Sequence, residues 1–321
     1  MIGSILSALP LHIPDGFLTA PVALIGWLFV LLLIGWALRQ TREQLGERQV
    51  PLMGILAAFI FAAQMLNFPV AGGTSGHMLG GALSAIVLGP WAAVLIMTCV
   101  VAVQALLFQD GGLLVLGWNI LNMGVLTAFT GYFVYQGARK MLGNTRRAIL
   151  IAGFVGGWLS VMVGAIATAV ELAVSRTSPL GVALPAMAAV HSLIGIGEGL
   201  ITAAALAFIA QTRPDLLRFS ARPPATRSAG WVWGGLLIAL VVTLFSPWAS
   251  PSPDGLERVA EDQGFLAKGL DPLYQILPDY TVPLVKSEAG ATILAGVVGV
   301  LLVFGIAYGV AWLRRARPSS S

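Results

Sequence analysis

The chain has 321 residues, of which 57% are apolar and only 10% are charged, with a mean hydropathy of +0.87. Soluble domains carry about one quarter charged residues, so this composition excludes an ordinary soluble enzyme, a disordered protein and a nucleic-acid-binding protein. The single cysteine, Cys99, lies in an apolar run and excludes an intrachain disulfide or a cluster of thiolate ligands. The composition predicts an all-α protein that crosses a membrane many times.

Nine apolar segments approach the length of about 20 residues that a membrane span needs. The segments are 20–38, 51–68, 77–88, 91–108, 113–135, 148–174, 184–210, 230–245 and 289–313. The third is short and joins the fourth through Gly89 and Pro90. A proline at the start of a helix supports a tight helical hairpin at this point.

The positive charges predict the orientation of these segments. Fourteen of the 18 Lys and Arg residues follow the first, fifth, seventh or ninth segment, which places them on one side of a nine-span chain. The positive-inside rule makes that side cytoplasmic, so the N-terminus is expected outside and the C-terminus inside. The net charge of +4 is then mainly a topological signal, not a binding patch for an acidic partner.

The same pattern divides the chain into parts. Residues 11–210 are predicted to form a seven-span body, and 211–228, which contain three prolines, a cytoplasmic linker. Residues 229–321 hold two further spans, separated by a long acidic outer loop at 246–288. Residues 1–10 are apolar, contain no basic residue and are too short for a secretory signal.

All three histidines are expected on the outer half of the membrane. His12 precedes the first segment, His77 begins the third within a glycine-rich stretch, and His191 lies about two turns into the seventh. Imidazole is the commonest metal ligand in proteins and suits nickel, cobalt, copper and zinc. A histidine in a glycine-rich loop is more often structural than a ligand, and the residues alone leave both interpretations open.

Further polar residues lie inside the apolar segments, where ionisable groups are costly and therefore candidates for function. His191 and Glu198 are seven residues apart and share a helix face. They form either a buried pair that locks helix packing or an outer shell or path for a bound ion. Asn119, Asn122 and Glu171 admit the same two interpretations. Three polar residues at the outer end of the fourth segment are expected at the membrane interface: Gln104, Gln109 and Asp110.

The sequence contains no HExxH, GxSxG or Walker A motif and no GxGxxG motif in a strand context. Transport powered by ATP would therefore require a partner that hydrolyses it. An alternative is a stand-alone ion-coupled transporter that uses His191 and Glu198 as a proton relay. An intramembrane hydrolase would need a nucleophile paired with a base, and the sequence offers none.

Three motifs, in order along the chain, resemble those of the CbiM/NikM family. They are LHIPDGFL at 11–18, GHMLGG at 76–81 and HSLIGIGEG at 191–199. A fourth stretch, PDGLERVAED at 253–262, resembles the PDGLE domain that is attached to nickel-type members as a small N component, here fused. The resemblance covers the body up to about residue 210 and the tail.

The resemblance implies a function and partners. Members of the family are the metal-capturing subunits of energy-coupling-factor importers for nickel and cobalt, in the plasma membrane of bacteria and archaea. They work with a membrane coupling subunit, the T or Q component, and a cytoplasmic ATPase, the A or O component. The PDGLE-like tail favours Ni²⁺ over Co²⁺ as the transported ion, and no prosthetic group is implied.

The resemblance also implies a ligand set. In the family the histidine of the first motif is the second residue, so the terminal amine, the next amide nitrogen and the imidazole form fused chelate rings. Carried over, the donors are the amine at Leu11, the amide and imidazole of His12, and His77. Four nitrogens in a plane suit Ni²⁺ and accept Co²⁺.

This chain departs from that pattern, because His12 is its twelfth residue and an internal Leu11 has no free amine. The resemblance therefore predicts that the mature protein begins at position 11. Two routes remain open, a start codon at position 11 that is translated as Met, or proteolytic trimming after Pro10.

Overall fold

The structure is a computed structural model that describes residues 12–42, 45–46, 49–217, 230–283 and 285–315. Most of these residues are helical. The predicted N-terminal segment 1–10, together with Leu11, and most of the predicted linker lie outside the described residues. The α-helices are α1 (Ala20–Thr41), α2 (Gln49–Gln64), α3 (Gly81–Leu88), α4 (Pro90–Val103), α5 (Leu116–Ile120), α6 (Thr127–Leu142), α7 (Arg146–Val174), α8 (Leu180–Thr212), α9 (Gly230–Thr243), α10 (Gly255–Asp262) and α11 (Glu288–Arg314).

Six helices of the described chain are long and apolar enough to cross a membrane. They are Ala20–Thr41, Pro90–Phe108, Arg146–Val174, Leu180–Thr212, Gly230–Trp248 and Glu288–Arg314. α2 is apolar but has only 16 residues. The count of nine spans and their orientation stay predictions.

The predicted third segment is wrong at its start. α3 has only eight residues and begins at Gly81, because Gly80 adopts a left-handed conformation with φ of 84° that a helix cannot include. His77 therefore lies in a loop and not in a helix. A short antiparallel hairpin precedes this loop, formed by β1 (Phe68–Val70) and β2 (Thr74–Gly76).

The predicted fifth segment is longer than expected and contains an irregularity. α5, a π-helical turn at Leu121–Leu126 and α6 follow one another without a break from Leu116 to Leu142. A second π-helical turn, Gln104–Phe108, ends α4. Such turns are frequent at functional sites, and these two lie next to polar residues that surround the cavity described below.

α7 and α8 pack closely along their length through small residues. A side chain at Gly157 would approach the backbone of Glu198 and Gly199, and one at Gly199 would meet Phe154. Small residues allow the backbones of membrane helices to come together. This contact fixes Glu198, which is fully buried on α8, relative to the rest of the body.

The chain between α9 and α11 folds over one end of the helices. It contains α10 and three 3₁₀ turns, at Ser246–Trp248, Leu266–Lys268 and Pro278–Tyr280. The backbone N–H of Leu270 donates to the carbonyl of Asp15, and that of Ser75 donates to the carbonyl of Pro253. These bonds join the C-terminal part to both the N-terminal loop and the β-hairpin, so all three meet at the same end.

Candidate metal centre

A cavity of about 90 Å³ lies where these loops meet. All three histidines line it, together with Asn119 and Asn122, which the sequence singled out. The C-terminal part contributes Asp254, Gly255 and Leu256, and the remaining wall is mostly apolar residues of α7, α8 and the loops that carry His12 and His77. The cavity thus draws on residues that are more than 200 positions apart in the sequence.

His12 is held at the cavity by its neighbours in the first motif. The backbone N–H of Ile13 donates to Oδ1 of Asn119 at 3.1 Å, and Nδ2 of Asn119 donates to the Ile13 carbonyl at 3.0 Å. Asp15 accepts the backbone N–H groups of Leu113 and Leu114 at 3.0 and 2.9 Å. These bonds tie both sides of the N-terminal loop to the start of α5, so the position of His12 is fixed by backbone contacts.

The two nitrogens of the His12 ring have different surroundings. Nδ1 lies 3.0 Å from the backbone carbonyl oxygen of Asp110 and 3.5 Å from its carboxylate. A carbonyl can only accept, so Nδ1 carries the proton in this arrangement. Nε2 is buried and has no hydrogen-bond partner among the described residues. A buried polar atom without a partner is costly, and a metal ion would satisfy it.

His77 is positioned by the loop that Glu198 holds. The Glu198 carboxylate is fully buried and accepts the backbone N–H groups of Leu79 at 2.7 Å and Gly80 at 3.1 Å. Nδ1 of His77 bonds to the carbonyl of Met78 at 3.1 Å. A bond from one ring nitrogen to a carbonyl fixes the tautomer in which the other nitrogen binds a metal.

The distance between His12 and His77 matches a shared ion. A metal–imidazole bond of about 2 Å places the ion about 3.2 Å from each ring centre. Two rings on one ion then have centres about 4.5 Å apart at right angles and about 6.4 Å apart when opposite. The observed separation is 5.6 Å, with the ring planes inclined at 72°.

His191 and Glu198 do not form the expected pair. Nδ1 of His191 bonds to the carbonyl of Met187 within α8, at 2.9 Å, while Glu198 bonds to Leu79 and Gly80. The interpretation of these two residues as a hydrogen-bonded pair or a direct proton relay is therefore wrong for the described chain. His191 lines the cavity, and Glu198 anchors the loop that carries His77.

The two asparagines have separate roles. Asn119 holds Ile13, whereas Nδ2 of Asn122 donates to Thr168 at 3.2 Å and to Glu171 at 3.0 Å. The two bonds of Asn122 link the π-helical turn to α7. Asn122 also lines the cavity, so a role near a bound ion stays a prediction for it.

The polar residues at the end of α4 are buried within the protein, which the sequence analysis did not predict, and their position at a membrane interface stays a prediction. Asp110 and Gln104 have exposed fractions of 4% and 0%. Gln109, at 9%, is close to buried as well. The sequence carried no signal for this, because the partners of Asp110 are His12 and a tyrosine in the loop before α11.

The PDGLE stretch forms one wall of the cavity. Its first residue, Pro253, accepts through its carbonyl from the backbone of Ser75 at 2.8 Å and the hydroxyl of Thr74 at 3.0 Å, next to the His77 loop. Asp254 and Glu257 form a capping box that starts α10. The spacing of an acidic residue three positions before a glutamate is a known signature of a helix start.

Asp254 is buried within this wall. Burial raises the pKa of its carboxyl well above the usual range, and the negative charges of Glu257 and Asp110 raise it further. Asp254 also lines the cavity with the three histidines. The C-terminal part therefore contributes polar groups to the surroundings of the histidines.

Gly255 packs against a cavity histidine, His191, with no room for a side chain. A Cβ atom there would lie 2.7 Å from Cε1 and 3.0 Å from Nε2 of His191.

We expect Gly255→Ala to push the PDGLE stretch away from His191 and to lower nickel retention by purified protein at least about tenfold, the lower end of the effect of outer-sphere changes. Gly305→Ala, in open space on α11, is the matched control. Equal retention by both variants would contradict a tight wall.

In the part of the chain that the structure describes, no three His, Cys, Asp or Glu side chains come together as a metal-binding group. A complete site built on His12 and His77 would thus need donors of another kind, and backbone nitrogens are the kind that the resemblance implies. The amine at Leu11 lies outside the described residues. The predicted ligand set as a whole stays a prediction.

The fold and the cavity define a multi-pass helical membrane protein with paired histidines at one end. A family model described as the cobalt uptake substrate-specific transmembrane region matches residues 12–216, and the PDGLE domain model matches residues 229–316. The chain belongs to this cobalt uptake family and carries a C-terminal PDGLE domain, as the motifs predicted.

Relatives and solved structures agree. A protein of Archaeoglobus fulgidus that bears the name NikMN is 37% identical over 96% of this chain and 100% of its own. The fused nickel transport protein NikMN of Rhodobacter capsulatus is 29% identical over 95% and 99%. A cobalt transport protein CbiM of Sorangium cellulosum is 39% identical over 52% and 76%.

The crystal structure of a transition metal transporter superposes on 66% of this chain and 98% of its own with a TM-score of 0.58 and 32% identity. These findings confirm the all-α, multi-pass membrane fold. They also confirm a transport protein for transition metals and not an enzyme, because the relatives are transport proteins.

Proposed function

We propose that this protein is the substrate-capturing membrane component of an energy-coupling-factor importer for Ni²⁺ or Co²⁺, with nickel favoured. The observation that carries the proposal is the pair of buried imidazoles at the cavity, His12 and His77, whose ring centres lie 5.6 Å apart, a spacing that suits two rings on one ion. The names of the fused relatives, which are nickel transport proteins, support the choice of metal. The cobalt-named relatives keep Co²⁺ as the second candidate.

The proposed donors are the imidazoles of His12 and His77, the His12 amide nitrogen and an amine at position 11. The His12 amide closes a six-membered ring with the metal only through Nδ1 of its own imidazole. That nitrogen faces Asp110 in the structure. Chelation therefore requires the ring to turn over about its Cβ–Cγ bond, which exchanges the Nδ1–Cε1 edge for the Cδ2–Nε2 edge and presents Nε2 to Asp110.

The proposed partners are a membrane coupling subunit and a cytoplasmic ATPase. Membrane systems of this kind divide metal capture and ATP hydrolysis between chains, and this sequence carries no Walker A motif. Uptake of radioactive nickel into cells is expected only when all components are present and the ATPase is active. Full uptake by this chain alone would favour the ion-coupled alternative.

Metal selectivity is tested on purified protein. Equilibrium titration with Ni²⁺, Co²⁺ and Zn²⁺ is expected to give the tightest binding for Ni²⁺ and an absorption spectrum of square-planar nickel. Tetragonal nitrogen coordination suits Ni²⁺, whereas a preference for Zn²⁺ with a tetrahedral signature would contradict the proposed donor set.

Glu198 provides a further test, because its carboxylate holds the loop after His77. Glu198→Ala leaves the N–H groups of Leu79 and Gly80 without their acceptor, and we expect nickel retention to fall at least about tenfold while folded protein remains in the membrane. Glu198→Gln, which keeps one acceptor oxygen, is expected to lose less. Nickel binding and membrane abundance are measured together, with the exposed Glu288→Ala as the control.

Normal binding, uptake and abundance for Glu198→Ala would remove the residue from the site. A loss of abundance equal to the loss of binding would show that it serves folding alone.

A further inference from the structure

Tyr280, in the loop before α11, is joined to the metal site by hydrogen bonds. Its hydroxyl donates to Oδ2 of Asp110 at 2.6 Å and accepts from Nε2 of Gln104 at 3.2 Å. Its ring stacks on Phe108, with centroids 4.7 Å apart and planes inclined at 15°. A residue of the PDGLE domain is thus fixed against the π-helical end of α4.

The backbone at this point is held in an unfavourable conformation. Asp279 and Tyr280 have φ of 51° and 54°, in the left-handed region that bulky side chains rarely adopt. Such conformations persist only where surrounding contacts hold them and cluster at functional sites. Gln109, directly before Asp110, also has a positive φ of 58°. Both partners of the Tyr280–Asp110 bond therefore follow or occupy strained backbone.

Asp110 connects this bond to His12. Its carboxylate accepts from Tyr280 through one oxygen, and the other oxygen lies 3.5 Å from Nδ1 of His12. Its carbonyl lies 3.0 Å from the same nitrogen. Acceptors on the ring nitrogen remote from a metal fix the orientation and tautomer of a ligating histidine. When the ring is turned over for chelation, Asp110 faces its other edge.

We infer that Tyr280 is a positioning residue for metal capture: through Asp110 it orients the His12 imidazole, so that the C-terminal PDGLE domain completes the metal site of the body. The inference rests on the proposed function, since it concerns how tightly His12 binds the captured ion. It assigns the domain a direct part in binding, in addition to any part in coupling.

The protonation of Tyr280 agrees with its role as a donor. Burial raises the pKa of its phenol well above the usual range, and the negative charge of Asp110 raises it further. The hydroxyl therefore keeps its proton and continues to donate to the carboxylate.

The test is nickel titration of the Tyr280→Phe variant. The protein is purified from its native host, so that it carries its natural N-terminus. The substitution removes the hydroxyl and keeps the ring that stacks on Phe108. We expect nickel affinity to fall about 10- to 100-fold, as for other outer-sphere changes, and the visible absorption band of bound nickel to shift. Tyr274→Phe is the matched control, because that hydroxyl of the same loop donates only to the carbonyl of Leu106, at 2.9 Å.

The shift of the absorption band separates positioning from a general loss of packing, which would lower abundance without changing the spectrum of the nickel that still binds. Should Tyr280→Phe be scarce in the membrane, Asp110→Asn carries the same test, since it weakens the acceptor of the same bond. Unchanged affinity and spectrum, or tighter binding, in the abundant variant would overturn the inference. Full binding by His77→Ala would instead overturn the proposed site itself.

Discussion

His77→Ala is expected to abolish tight nickel and cobalt binding while the protein stays folded in the membrane. The change removes one of two imidazoles whose rings lie 5.6 Å apart at the cavity. Loss of a direct ligand should cost more than the about 10- to 100-fold that outer-sphere changes cost, so retention is expected to fall more than about 100-fold. Metal analysis of purified protein and a membrane abundance assay check the two parts of this prediction.

His191→Ala is the natural comparison, because it removes an imidazole from the same cavity. Nδ1 of His191 is tied to Met187 within its own helix, and the resemblance does not assign it a place in the donor set. We expect it to keep most of its nickel. Equal losses for both variants would indicate three imidazole ligands, and normal retention by His77→Ala would remove His77 from the site.

The sequence was sufficient to find the histidines but not their supports. Hydropathy predicted the membrane fold, and the family resemblance predicted that the imidazoles of His12 and His77 meet. The supports come from tertiary contacts that local patterns do not contain. Asn119 binds the backbone of Ile13, 106 positions away, and Tyr280 binds Asp110, 170 positions away.

The incorrect pairing of His191 with Glu198 has a simple geometric cause. A spacing of seven residues places two side chains on one face of a helix, but at 1.5 Å per residue they are about 10 Å apart along it. Shared orientation is therefore not contact. Each side chain instead forms a hydrogen bond with a closer group. His191 bonds to the Met187 carbonyl, and Glu198 bonds to the loop after His77.

The start of α3 shows a second limit of the sequence. The stretch around His77 is apolar and glycine-rich, which hydropathy alone interprets as the beginning of a span. The positive φ of Gly80 prevents the helix from extending back to His77. The pattern of polar and apolar residues contains no information about this backbone angle. The capping box of the PDGLE stretch is the opposite case, because its spacing is a local signal for a helix start that the sequence analysis did not use.

The position of the first amino group is expected to decide whether His12 chelates the metal. A protein that begins with Met at position 11, followed by His12, offers an amine, an amide nitrogen and an imidazole in adjacent chelate rings. A protein that keeps residues 1–10 replaces that amine with an amide nitrogen. We expect the first form to bind nickel tightly and to support uptake, and the second to lose both.

Three forms of the protein test this prediction directly. One starts with Met at position 11, one has a single alanine inserted between that Met and His12, and one retains residues 1–10 with Leu11→Ala to prevent an internal start. Intact mass establishes each N-terminus, and nickel titration at several pH values measures binding. Amide ligation releases a proton, so the affinity of the first form should rise with pH.

Tight, pH-insensitive binding by the form that retains residues 1–10 would exclude the amine and the amide as ligands. The site would then consist of imidazoles, with His12 binding through Nε2. That is the nitrogen which the structure leaves buried and without a partner among the described residues, while Nδ1 stays on Asp110. The two outcomes therefore assign opposite nitrogens of one ring to the metal, and the absorption spectrum of bound nickel distinguishes them.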